Sequence, residues 1–127
     1  MQKTRALIIE NGLHDNETLK VTLETRGVQV MSVSLKQERW GADRVSGLDI
    51  MILDSDTLNW DCTETIRKIR AFSPAPLLVL STLDQPNVIA QTLDCGADDF
   101  LTKPVSADVL MACINKLTRR ARTTNTP

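Results

Sequence analysis

The sequence predicts one α/β domain: a five-stranded parallel sheet with helices on both faces, three layers in a (βα)5 arrangement. Three observations carry this. The first is Leu48-Asp49-Ile50-Met51-Ile52-Leu53-Asp54, where four consecutive apolar residues without helical period sit between acids, as in a strand buried on both faces. The second is that strand-like runs alternate five times with helical stretches, a pattern that calls for right-handed crossovers. The third is size: 127 residues, 42% hydrophobic, suffice for a single domain with a real core.

Ala6-Leu7-Ile8-Ile9 is the first strand, ending at Glu10-Asn11-Gly12. Asp15, Asn16 and Glu17 supply helix-start chemistry, Leu19 and Leu23 share one face, and Gly27 stops the helix. Val28, Val30 and Val33 mark a second strand, and residues 35–44 a polar helix carrying Trp40. The central strand ends at Asp54 and gives way to a loop over residues 55–61. The next helix turns Ile66 and Ile69 inward and Arg67, Lys68 and Arg70 outward, and Pro74 and Pro76 end it. Leu77-Leu78-Val79-Leu80 is the fourth strand, stopping at Ser81-Thr82. Pro86 opens a helix with Val88, Ile89 and Leu93 as its inner face and Cys95-Gly96 as its end. Phe100-Leu101-Thr102 is a short fifth strand before Lys103-Pro104. Ser106 caps the last helix, whose inward stripe is Leu110, Ile114 and Leu117. Arg119, Arg120 and Arg122 suit that helix's C-terminus. The domain is expected over residues 1–121, with a linker beginning at 122–127.

Composition excludes several classes. A net charge of -1 recommends neither nucleic acid nor an anionic membrane as a direct partner. No apolar run approaches a bilayer span, and the N-terminus lacks the apolar stretch of a signal peptide. Three cysteines without CxxC spacing suggest reduced thiols and a cytoplasmic location, and a single histidine argues against structural zinc.

In such a sheet ligands collect past the carboxyl ends of the strands. Those ends present Glu10-Asn11, Asp54, Ser81-Thr82 and Lys103. Taken singly, Asp54 reads as a loop-start acid, Lys103 as a surface lysine, Ser81 as a hydroxyl serving nearby backbone, and Phe100 as core. Taken together they suit a divalent cation and a phosphoryl group carried on a carboxylate. The metal takes oxygen ligands, and the lysine and hydroxyl neutralise phosphoryl oxygens.

The motifs Ile8-Ile9-Glu10-Asn11, Asp49-Ile50-Met51-Ile52-Leu53-Asp54, Leu80-Ser81-Thr82 and Gly96-Ala97-Asp98-Asp99-Phe100-Leu101-Thr102-Lys103-Pro104 carry a resemblance. From about residue 4 to 121 the chain resembles the receiver (CheY-like, flavodoxin-like) domain of two-component response regulators. The last motif is similar to the OmpR/PhoB-type subfamily, whose receivers are joined to winged-helix DNA-binding domains. The resemblance implies roles. Asp54 matches the phosphoacceptor, Ser81 the hydroxyl that follows the phosphoryl group, Lys103 its paired lysine and Phe100 the aromatic switch. Glu10 matches the first acid of the metal site, to which Asp54 and the Asp56 backbone carbonyl also belong, and the Lys103-Pro104 bond is expected cis. It further implies Mg²⁺, a sensor histidine kinase as donor, and DNA binding through a C-terminal domain, with no membrane contact and no enzyme activity. The family's dimer uses its fourth helix, fifth strand and fifth helix. Asp98, Asp99 and Arg120 fit charged positions there, and Val109 and Cys113 stand where an acid and a base are usual, making the face more apolar.

The chain also departs from the pattern. Asn11 replaces the second metal-binding acid, so weak Mg²⁺ binding is expected. Leu58 and Cys62 replace a proline and a glycine, and Asp56 is unusual, its side chain offering to restore lost charge. Two readings follow: a phosphorylated switch, or a phosphate-independent interaction module in which Lys103 pairs with Asp54. Other classes fit less well. A flavin or nucleotide site needs N–H donors where Glu10-Asn11-Gly12 offers acid. Asp54-Ser55-Asp56 has the DxD spacing of haloacid-dehalogenase phosphatases, but on the wrong strand.

Overall fold

The computed structural model describes residues 3–10, 16–34, 47–57 and 62–124. They form β1 (Arg5–Glu10), α1 (Glu17–Thr25), β2 (Gln29–Ser34), β3 (Ile50–Asp54), a 3-10 turn (Ser55–Thr57), α2 (Cys62–Phe72), β4 (Leu77–Ser81), α3 (Pro86–Asp94), β5 (Asp99–Thr102) and α4 (Ala107–Thr124). The expected helix over residues 35–44 lies outside the described residues. All strand pairs are parallel, and the sheet runs β2-β1-β3-β4-β5.

Every residue of β3 is buried, because the alternating side chains of this central strand each meet a helix layer. Ile50 and Ile52 join Ala6, Ile8, Leu78 and Leu80 in a cluster with Leu23 of α1 and Leu110, Ile114 and Leu117 of α4. Met51 and Leu53 join Leu7, Ile9, Leu77 and Val79 on the other face, against Ile66 and Ile69 of α2. Gly27, at φ +86°, turns the chain from α1 into β2, a conformation that strains other L-residues. Ser106 caps α4 as expected, its Oγ accepting the Val109 N–H at 3.1 Å.

Several local expectations are corrected. Asn16 stands at the N-cap of α1 but makes no side-chain cap; its amide donates instead to Glu10. On α3 the fully buried side chain is Thr92, at 1% exposure, whereas Leu93 is 40% exposed. Thr92 donates its hydroxyl to the Val88 carbonyl, so its polar atom is satisfied inside the helix and its methyl can pack inward. Arg70 does not simply face solvent. Its guanidinium donates to the Ala75 and Gly96 carbonyls and to Asp98, which ties α2 to the start of β5. Helix α4 runs to Thr124.

The sheet's amino-terminal edge carries two matching clamps. Asp49, one residue before β3, accepts the Arg5 N–H at 2.8 Å and donates its own N–H to the Arg5 carbonyl at 2.9 Å. Asp98, one residue before β5, does the same with Leu77, at 2.8 Å for each bond. Each acid thereby extends the strand ladder by one charge-assisted bond.

Candidate functional site

At the opposite edge, register decides which groups meet. Asp54 pairs with Leu80, and Ser81 pairs with Thr102, so the carboxylate, the hydroxyl and Lys103 follow one another across three adjacent strands. Asp54 is 3% exposed, and its Oδ1 accepts from the Lys103 ammonium at 2.9 Å. Burying a carboxylate is costly without a paired cation, and Lys103 supplies one. The Lys103-Pro104 bond is cis.

The turn after β3 brings in a second acid. Its Asp56 N–H donates to Asp54 Oδ1 at 3.2 Å, and the Asp56 side chain crosses to the end of β4. There Oδ1 accepts from Ser81 Oγ at 3.2 Å, Thr82 N–H at 2.7 Å and Thr82 Oγ1 at 3.1 Å. Oδ2 lies 3.1 Å from the Lys103 ammonium. Burial pushes the Asp56 pKa up, but the Thr82 N–H, the Lys103 ammonium and the Thr82 hydroxyl outweigh it and hold the carboxyl below its ordinary value. Burial likewise pulls Lys103 down, while Asp54 and Asp56 together raise it above the usual lysine value. Lys103 is thus an ammonium shared between two carboxylates.

The pattern of the response regulator receiver domain matches residues 6–115. The chain belongs to that family. This receiver is 32% identical over 124 residues to the KDP operon transcriptional regulatory protein KdpE of Escherichia coli K12, covering 98% of this chain and 55% of that protein. It is 27% identical over 119 residues to the cell cycle transcriptional regulator CtrA of Caulobacter vibrioides, covering 93% and 52%. The receiver therefore spans about half the length of these curated relatives, which are OmpR/PhoB-family regulators. Among solved structures, a two-component response regulator from Clostridium difficile superposes with a TM-score of 0.74 at 22% identity, covering 98% of this chain and 100% of the other. A CheY-like receiver domain protein from Methanospirillum hungatei does so with 0.76 at 18% identity, covering 98% and 100%. These two confirm the fold.

Receiver domains generally bind Mg²⁺ at their acidic pocket. Among the described residues the side chains, as they stand, do not form such a cage. Glu10 accepts from Asn16 Nδ2 at 2.6 Å, and Asp56 is engaged by β4 and Lys103. Among the described residues no three histidine, cysteine or acid side chains gather to hold a metal ion. Asn11 and Leu58 lie outside the described residues. Beside Asp54 and Lys103 a cavity of about 550 Å³ opens between α1 and the start of α4, walled by Leu19, Val105 and Leu110.

Sequence reasoning placed Asp54, Ser81 and Lys103 at one edge, and the structure brings them together. It named Ser81-Thr82 at the end of β4 but did not foresee the hold of the Asp56 side chain on them. Two hydroxyl residues in a row at a strand end, facing an unusual acid, were the available signal. Phe100 is partly buried against the α2-side core.

The charged positions of β5 and α4 are less free than their sequence suggests. Asp98 serves the clamp, and Asp99 accepts from Lys116 at 2.7 Å. Cys113 turns inward, 7% exposed, with its thiol 3.4 Å from Asp99 Oδ2. It therefore adds no apolar surface to that face, whereas Val109 does, at 51% exposure. Burial first, and Asp99 second, push the Cys113 thiol up to about 11. At pH 8 only about one thiol in a thousand is then ionised, and the thiolate is the nucleophile. Iodoacetamide is expected to alkylate Cys113 more than about a hundredfold slower than a free thiol, read by peptide mass mapping. Labelling at the rate of an exposed cysteine would contradict this environment. Among the described residues no helix is long and apolar enough to cross a membrane.

Proposed function

We propose that this receiver takes a phosphoryl group on Asp54 from a sensor histidine kinase and thereby controls dimerisation of a transcription factor. The observation that supports it is the buried Asp54 carboxylate with the Lys103 ammonium at 2.9 Å and the Ser81 hydroxyl on the neighbouring strand. In this reading an Asp54 oxygen attacks phosphorus, an O–P bond forms as the donor's N–P bond breaks, and the released imidazole nitrogen takes a proton. Lys103 and Ser81 then meet the oxygens of the transferred group, where charge accumulates. The aspartate carries the group and the kinase supplies it, so the domain is a substrate rather than an enzyme.

The rest of the proposal follows the family. Residues 122–127 lead towards a C-terminal winged-helix domain that binds DNA, in keeping with relatives about twice the length of this chain. The site of action is the cytoplasm. The homodimer forms through α3, β5 and α4, with Val109 and Ala112 exposed at its centre and Asp98, Asp99 and Arg120 at its edge. Mg²⁺ binds weakly, because Asn11 supplies no charge and Glu10 is engaged by Asn16.

The test is intact mass after incubation with acetyl phosphate and Mg²⁺, for wild type and Asp54→Ala. One added phosphoryl mass in wild type alone is the expected result. No adduct on wild type sinks the proposal. A second reading, a phosphate-independent dimerisation module, is favoured by the Lys103–Asp54 pair already formed in the unmodified chain. It predicts the same dimer by size exclusion with and without acetyl phosphate.

A further inference from the structure

The donors that a phosphoryl group on Asp54 would need are the Ser81 hydroxyl, the Lys103 ammonium and the backbone at the end of β4. In the unmodified chain all of them are already bound to an anion. That anion is the Asp56 carboxylate, which receives three hydrogen bonds from Ser81 and Thr82 on one oxygen and the Lys103 ammonium on the other.

We propose that the Asp56 side chain is an internal stand-in for the phosphoryl group: it occupies the Ser81–Thr82–Lys103 donor set, and an incoming phosphoryl group must displace it. The chemistry is matched. Carboxylate and phosphoryl oxygens are both anionic acceptors that bind hydroxyl, amide and ammonium donors at similar distances. The geometry is matched as well. The Asp56 N–H is held on Asp54 Oδ1, so the turn carries the side chain from the phosphoacceptor towards the end of β4. The side chain is 19% exposed, which leaves solvent on one side of it and a way out of the site.

Two consequences follow. The end of β4 is held in its anion-bound position without phosphorylation, because a carboxylate meets the same donors. Phosphorylation is also slowed or weakened, because an anion binds only the fraction of molecules in which Asp56 has withdrawn. The second consequence rests on the reading of Asp54 as phosphoacceptor; the first does not.

The experiment compares wild type, Asp56→Asn and Asp56→Ala, with thermal melts to establish that each variant folds. Beryllofluoride, which mimics a phosphoryl group on a carboxylate, is titrated by calorimetry at saturating Mg²⁺, and the Thr82 amide is followed by NMR in its absence. Asp56→Ala is expected to bind beryllofluoride at least about tenfold more tightly, with Asp56→Asn between it and wild type. The Thr82 amide proton, donated to a carboxylate in wild type, is expected to move upfield in Asp56→Ala. An unmoved Thr82 amide overturns the inference, even where acetyl phosphate labels Asp54 normally. Unchanged or weaker beryllofluoride binding by a folded Asp56→Ala that acetyl phosphate does label also overturns it, and makes Asp56 a helper of anion binding instead. If no variant takes up either reagent but the Thr82 amide moves, the phosphoacceptor reading falls while the carboxylate's occupation of the donor set stands.

Discussion

Lys103→Met is expected to lower the free energy of unfolding by about 3 kcal/mol at pH 7, whereas Asp54→Asn is expected to be near neutral or stabilising. The asymmetry comes from charge count. Lys103 is one ammonium between two carboxylates, at 2.9 Å from Asp54 and 3.1 Å from Asp56. Removing it leaves Asp54, 3% exposed, as an uncompensated buried charge beside a second acid. The figure sits at the low end for breaking a buried pair because the Lys103 side chain keeps 29% of its surface exposed. Removing the Asp54 charge instead leaves Lys103 with Asp56, one cation with one anion. The deficit of Lys103→Met also shrinks as pH falls. In wild type the Asp56 pKa is lowered on folding, so its stabilisation is present above the unfolded value and lost as pH falls through the folded one. Without Lys103, Asp56 loses one of the groups that hold its pKa down, so the variant has less of this stabilisation to lose in acid. Urea unfolding of the three proteins at pH 7 and at about pH 3.5, below the ordinary aspartate value, measures this. Equal losses for the two substitutions would mean that Lys103 compensates nothing.

Ile52→Ala should cost about 3–4 kcal/mol, a large share of the roughly 5–15 kcal/mol that holds a domain of this size together. Ile52 is fully buried at the middle of β3, flanked in register by Ile8 of β1 and Leu78 of β4, in the cluster covered by α1 and α4. Helices seated on both sheet faces leave little room for collapse around the missing atoms, so most of the cavity persists. Leu53→Ala, its neighbour on the other face, should lose a similar amount. Val109→Ala, half exposed on α4, should stay within about 0.5 kcal/mol. The readout is the urea midpoint at unchanged slope. A loss below about 1 kcal/mol for Ile52→Ala would show that β3 is not sealed on both sides.

What the sequence disclosed follows from what each signal depends on. The unbroken apolar run of β3 was legible because burial on both faces leaves no polar position to alternate with. The edge groups Asp54, Ser81 and Lys103 were legible because strand order in a parallel sheet brings strand ends together. Thr92 was misread in favour of Leu93 because hydropathy ranks side chains in isolation, and the bond from the threonine hydroxyl to the Val88 carbonyl exists only once the helix has formed. Cys113 could have been placed inward from sequence. With Leu110, Ile114 and Leu117 it completes an i, i+3, i+4, i+7 stripe, and assigning it instead by family position put it on the outer face. The Asp56 contacts were legible only as their parts, an unusual acid and a pair of hydroxyl residues, and not as bonds between them. They depend on how far a one-turn 3-10 segment swings a side chain, and spacing carries no such information.

The clamps at Asp49 and Asp98 have a bearing on how this protein can change. Each stands five residues before a residue of the strand-end cluster, Asp49 before Asp54 and Asp98 before Lys103, roughly 16 Å along an extended strand. That is about twice the distance over which charges remain coupled in physiological salt, and beyond the range at which substitutions usually interact. The alignment of the two strands is therefore guarded by residues that lie outside the Asp54–Asp56–Lys103 cluster. The strand-end edge behaves as a socket whose fittings can be exchanged while the frame that aims them stays put.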